Sequence, residues 1–175
     1  PAGKISFSAS SGTRSLKRST PGQITVFRAD SARTNGNTLG AQGRLISCEG
    51  AENGPGGRRR IVRTDMKTGK SAIIASRFEG RPFNSPNDIT IDEKGRIYFS
   101  DPRYLGHEPL DQPIQAVYRI DTDGSIHRII TDAGKPNGVA VSPDQKTLYV
   151  VTNDNGSFGI GRIPESAPLA KGRMA

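Results

Sequence analysis

The feature that most constrains this chain is a pattern of about fifty residues, stated in full once and repeated in part. The full statement runs from Asn84 to Pro102. Ile89 and Ile91 alternate with Thr90 and Asp92, Glu93-Lys94-Gly95 supplies a tight turn, and Ile97 to Ser100 is a second run of β-branched and aromatic residues. Such a stretch predicts a β-hairpin. Pro86 fixes φ just before Asn87 and biases Ser85 towards an extended backbone, so the asparagine sits on a stiff approach at the mouth of the hairpin.

Asn35 to Cys48 repeats the pattern in weaker form, and Pro136 to Val151 restates it with a turn one residue longer. Gly3-Lys4-Ile5-Ser6-Phe7-Ser8 matches its second half alone. Asn35, Asn87 and Asn137 stand 52 and 50 residues apart. Between the copies, Arg60 to Asp65 and Ser71 to Ala75 predict a hairpin around Lys67-Thr68-Gly69, and Ala116 to Asp121 with Ser125 to Ile130 predict another around Asp123-Gly124. Gln23 to Arg28 alternates as a strand after a serine-rich and basic turn region from Ala9 to Gly22, and Gly159 to Ile163 begins another second half.

Four short strands per ~50 residues is the period of a β-propeller blade. The expected division is a blade remnant at 1–32, blades at 33–80 and 81–133, and a partial blade at 134–175. Closed propellers need at least ~4 blades, so the chain reads as a segment of about three to four blades. Composition agrees with an all-β chain: 33% hydrophobic residues, 21 glycines and 12 prolines favour short strands and turns, and no window carries a capped helical periodicity.

The net charge of +8 does not make this a nucleic-acid binder. Arg58-Arg59-Arg60 and Arg63 follow a glycine-rich turn and run into Ile61-Val62, where alternation leaves several of them on a solvated face, with no aromatic residues interleaved to stack bases. No apolar run approaches the ~18 residues of a membrane-spanning helix. Cys48, the single cysteine, reads as a buried strand residue and forms no internal disulfide. The sequence begins with Pro1 and not with methionine, and leaves compartment and oligomeric state open.

In a propeller, residues at the same place in each repeat converge near the axis. Asn35, Asn87 and Asn137 are such residues. Their side-chain carbonyls are hard, neutral oxygens suited to Ca²⁺, although two or three alone bind weakly. Each could instead cap a turn through local hydrogen bonds, and spacing alone leaves both readings open. Asp88 falls on the strand face opposite Asn87 and reads as supporting the turn. Asp101, Asn153 and Asp154, at strand ends, read as turn residues; His107 and His127 show no metal-ligand spacing, and no Ser-His-Asp arrangement is arguable.

The blocks Asn84-Ser85-Pro86-Asn87-Asp88-Ile89, Gly95 to Pro102 and Pro136 to Val150 closely resemble the senescence marker protein, gluconolactonase and luciferin-regenerating enzyme family. The resemblance covers nearly the whole chain. It implies a six-bladed propeller with a divalent cation, Ca²⁺ first, in the central channel, and metal-dependent hydrolysis of a small-molecule lactone or related ester. Carried over by position, it implies Asn87 and Asn137 as metal ligands, with Asn87 also facing the substrate, and no ligand role for Asn35. The family's glutamate ligand would lie ahead of Pro1, and its aspartate, ligand and general base, beyond Ala175, so these 175 residues alone are expected to be inactive. Ser85 stands where sugar-lactonase relatives often carry an arginine, which sets the carbohydrate part of the reading apart. The rival expectation is a non-catalytic propeller that binds a ligand or protein partner at its channel mouth or through its basic loops.

Overall fold

Ile97–Asp101 is buried from end to end, with Tyr98 and Ser100 on one face and Ile97, Phe99 and Asp101 on the other. A strand buried on both faces needs a sheet packed against each of them. In a computed structural model that describes residues 6–8, 16–51, 56–104, 109–152, 158–162 and 171–173, both are present. Four antiparallel meanders follow one another along the chain. The first is three-stranded, β1 (Ser6–Ser8), β2 (Leu16–Thr20) and β3 (Gln23–Arg28). The second is β4 (Thr34–Leu39), β5 (Leu45–Ala51), β6 (Gly57–Thr64) and β7 (Ser71–Ala75). A small hairpin, β8 (Arg77–Phe78) and β9 (Arg81–Pro82), leads to the third sheet: β10 (Ile89–Ile91), β11 (Ile97–Asp101), β12 (Ala116–Ile120) and β13 (Ile126–Ile130). The fourth is β14 (Pro136–Val141), β15 (Thr147–Thr152), β16 (Phe158–Arg162) and β17 (Lys171–Arg173). Among the described residues there is no helix.

Successive sheets touch through their first strands, β4 against β10 and β10 against β14, which is the arrangement of propeller blades around an axis. The core lies between the sheets. Ile46, Cys48 and Ile61 of the second sheet meet Ile89, Ile97, Phe99, Tyr118 and Ile120 of the third. Within this layer Phe83 stands edge-on to Phe99 at 5.0 Å, and Phe99 stacks on Tyr118 at 5.4 Å. The opposite face of the third sheet gives Tyr98 and Val117, which pack on Val139, Leu148 and Val150 of the fourth. Each large side chain taken from water here contributes on the order of 1.5–3 kcal/mol.

The Asn35 to Cys48, Asn84 to Pro102 and Pro136 to Val151 copies all form the expected first hairpins, β4–β5, β10–β11 and β14–β15. One expectation needs correction, and one element was not expected. The region from Ala9 to Gly22, expected as a turn, contains β2, a strand of polar and basic residues held by backbone ladders to both β1 and β3 rather than by an apolar pattern. The β8–β9 hairpin, at two residues per strand, is too short for alternation to announce it.

Candidate functional site

The approach to Asn87 is stiff because of its partners as well as its proline. Asn84 is fully buried. Its backbone N–H donates to Asp101 Oδ2 at 2.8 Å, its side-chain amide donates to the Ile114 carbonyl at 3.2 Å, and its Oδ1 accepts the Gln112 N–H at 3.0 Å. Ser85 donates its N–H to Asp101 Oδ1 at 2.7 Å, and its hydroxyl accepts the Ala51 N–H at 3.1 Å. Both oxygens of the fully buried Asp101 carboxylate therefore clamp the loop that carries Asn87. Burial pushes the Asp101 carboxyl up to about 7, against the two backbone N–H groups that hold it down. Asp101 is thus a structural acid at a strand end, not a group open to substrate.

Asn87 and Asn137 are brought together through one residue. The Asn87 N–H donates to the Ser100 carbonyl at 2.9 Å, and the Ser100 hydroxyl donates to the Asn137 carbonyl at 2.5 Å. The same hydroxyl accepts the Asp88 N–H at 3.1 Å. On the other side the Asn87 carbonyl accepts the Gly36 N–H at 2.6 Å, next to Asn35. Asn35 and Asn137 lie on the first strands β4 and β14, and Asn87 lies two residues ahead of β10, the first strand between them. Asn35 and Asn87 make no side-chain hydrogen bond among the described residues; the local side-chain to backbone bond in that repeat comes from Asn37, to the Asn35 carbonyl at 2.9 Å. Asp88 does not support its own turn. Its Oδ2 reaches the next sheet and accepts the Val139 N–H at 2.9 Å.

Two acidic centres escaped the sequence reading. Glu49, almost wholly buried, receives Arg60 Nε at 2.6 Å, Arg28 at 3.1 Å and Arg58 at 3.8 Å. Asp111 is paired with Arg59 and lies 3.9 Å from Arg103. Of the arginines read as partly on a solvated face, Arg58 and Arg63 are exposed, while Arg59 and Arg60 are drawn in by these carboxylates. Their alternation along β6 was visible, but the acids opposite them come from other elements, far apart in sequence. His127 lies near both Ser125 and Asp121, yet both contacts use Nε2, so the ring cannot relay a proton between them. His107, Asn153 and Asp154 lie outside the described residues.

Among the described residues no group of three or more His, Cys, Asp and Glu side chains is placed to hold a metal ion. The amide oxygens of Asn87 and Asn137 are of the hard, neutral type that Ca²⁺ accepts, and they would fill only part of its six to eight positions. The donors present fit a divalent cation without completing its shell. The free thiol of Cys48 is no competitor, since burial, with Asp88 and Asp101 nearby, pushes it well above its ordinary value.

Comparison with known proteins agrees with the fold. The sequence profile of the SMP-30/Gluconolactonase/LRE-like region matches residues 9–160. A gluconolactonase of Zymomonas mobilis is 32% identical over 133 residues, covering 73% of this chain and 35% of that protein. The structure of a gluconolactonase from Xanthomonas campestris superposes with a TM-score of 0.87 at 29% identity, over 98% of this chain and 59% of that one. A calcium-binding regucalcin from Agrobacterium tumefaciens, at TM-score 0.58 and 21% identity over 81% of this chain and 45% of its own, shares the fold. The chain thus spans about a third of the curated relative and about three fifths of the Xanthomonas structure. Its matched profile and its propeller sheets show that the chain belongs to the SMP-30/gluconolactonase/LRE-like family.

Proposed function

We propose that the protein carrying this chain is a metal-dependent lactone hydrolase, gluconolactonase-like in class, and that Asn87 and Asn137 face a divalent cation, Ca²⁺ first, in the channel between the sheets. The observation that carries this reading is the Ser100 bridge, which ties the Asn87 backbone, two residues ahead of β10, to the Asn137 carbonyl on β14. When bound, the cation would supply Lewis-acid polarisation of the lactone carbonyl. The residues of this chain do the positioning. Asn87 and Asn137 offer oxygen donors that add no charge, and Asn87 also orients the substrate. The Asp101 clamp holds Asn87 on its loop, so little ordering remains to be done when substrate binds.

The remaining ligands and the general base are assigned to segments outside these residues, so the 175 residues alone are expected to show no turnover. The blade division proposed is 1–32, 33–80, 81–133 and 134–175. The substrate is a small lactone or ester; nucleic acid and membrane are not proposed as partners.

The test is hydrolysis of glucono-1,5-lactone by the full-length protein, followed through acid release, before and after chelation and with Ca²⁺ restored. Turnover lost on chelation and recovered with Ca²⁺ supports the reading. Turnover indifferent to chelation removes the metal, and Ca²⁺ binding without turnover favours a non-catalytic propeller.

A further inference from the structure

The turn glycines Gly43 and Gly95 set the second strands of two blades in the same register, so that Cys48 of β5 and Ser100 of β11 occupy the same repeat position, 52 residues apart. Both are fully buried, and both send their side chain to a backbone carbonyl on, or one residue before, the first strand of the next sheet. The Cys48 thiol reaches the Asp88 carbonyl at 3.7 Å, and the Ser100 hydroxyl reaches the Asn137 carbonyl at 2.5 Å. A thiol is a weak donor and a hydroxyl a much better one. The stronger latch thus falls on the residue carrying a candidate ligand.

We infer that Ser100 is a positioning residue for the cation site, acting through the Asn137 carbonyl to set where the Asn137 side chain stands relative to Asn87. The inference rests on the assignment of Asn87 and Asn137 to that site. Ser100 is suited to the role because it binds both strands at once: its carbonyl takes Asn87, its hydroxyl takes Asn137, and the amide of Asp88 feeds the same hydroxyl. Without the hydroxyl, the Asn137 carbonyl loses this bond to the sheet beside Asn87, at a place where the β14–β15 register breaks between Pro136 and Val139. Groups that orient metal ligands commonly change affinity about 10- to 100-fold when removed.

The test compares Ser100→Ala, Ser100→Cys and Ser47→Ala in the full-length protein, reading Ca²⁺ affinity by calorimetry, Tb³⁺ luminescence lifetimes and metal-free thermal unfolding. Ser47 is an equally buried serine whose hydroxyl donates to Asn37 within its own sheet, so its removal reports structural loss alone. The expected result is Ca²⁺ affinity about tenfold weaker in Ser100→Ala, with a shorter Tb³⁺ lifetime from an extra bound water, partial recovery in Ser100→Cys, and wild-type affinity in Ser47→Ala. Wild-type affinity in Ser100→Ala overturns the inference when Asn137→Ala has lost binding. Equal weakening in Ser100→Ala and Ser47→Ala, in step with stability, overturns it as well. If Asn87→Ala and Asn137→Ala both bind Ca²⁺ as wild type does, the site assignment itself falls, and the inference with it.

Discussion

The carboxylate of Asp88 accepts the backbone N–H of Val139 at 2.9 Å, across the boundary between two sheets. One residue after Asn87 is thereby tied to the second residue after Asn137. The contact joins the residue before β10 to β14, so neighbouring sheets are held by polar bonds as well as by core packing.

Truncating that carboxylate leaves the Val139 N–H without its acceptor. Hydrogen bonds to charged groups are worth about 1.5–3 kcal/mol, and Asn keeps an acceptor oxygen. Asp88→Ala is expected to cost about 2 kcal/mol, and Asp88→Asn less than about half of that. Urea unfolding of the two variants checks it; equal losses would show that the oxygen is not what matters.

Gly36 and Gly138 hold the same repeat position but differ in what lies above them. A Cβ on Gly36 would stand 2.6 Å from the Asp88 Cα and 2.7 Å from the Asn87 carbonyl oxygen, both backbone. A Cβ on Gly138 would meet nothing closer than 3.7 Å. Gly36→Ala must push β4 off β10 and is expected to cost about 3 kcal/mol, as overpacking against an immovable neighbour does. Gly138→Ala should cost under about 1 kcal/mol. Chemical denaturation of the pair reads the difference.

Asp101 makes stability depend on pH with a defined sign. Its carboxyl is raised to about 7 in the folded chain, above an ordinary value of about 3.9, so between those limits the folded state holds a proton that the unfolded chain has released. The stability contributed by this group therefore falls as pH rises from about 4 to about 7 and is level above that. Against Asp101→Asn, which cannot titrate, wild-type stability should decline across that window and run parallel above pH 8. A constant difference from pH 4 to 8 would contradict the assignment.

Glu49 balances Arg28, Arg58 and Arg60 from within the protein. Neutralising it leaves those guanidinium groups facing one another with partial access to water. Glu49→Gln is expected to cost about 3 kcal/mol, the scale for removing one partner of a buried pair. Addition of salt should recover part of the loss, and urea unfolding at low and high ionic strength measures both.

The hairpins were legible because their turns carry chemistry that only a turn requires: Gly43, Gly95 and Gly124 all have positive φ, where glycine is at ease. The repeat was legible for the same reason, since Gly43 and Gly95 stand as far apart as Asn35 and Asn87. What alternation conveys is which face a side chain takes, not what covers that face. Asp88 was placed on the face opposite Asn87, but its acceptor role towards Val139 depends on a sheet that begins some fifty residues later. Glu49 shows the same limit: Arg28 and Arg60 approach it from β3 and β6, and no local pattern announces a buried acid between them. Strand β2 fails differently. Leu16-Lys17-Arg18-Ser19-Thr20 has no apolar rhythm, and only its neighbours on both sides make it a strand.

The measurement that bears most directly on the central claim is calorimetric Ca²⁺ binding by the full-length protein, wild type against Asn87→Ala and Asn137→Ala, with lactone hydrolysis assayed on the same samples. The account predicts that binding weakens by at least about tenfold in both variants and that turnover falls with it. Unchanged binding in both would return the two asparagines to the backbone architecture of the blades and contradict the claim.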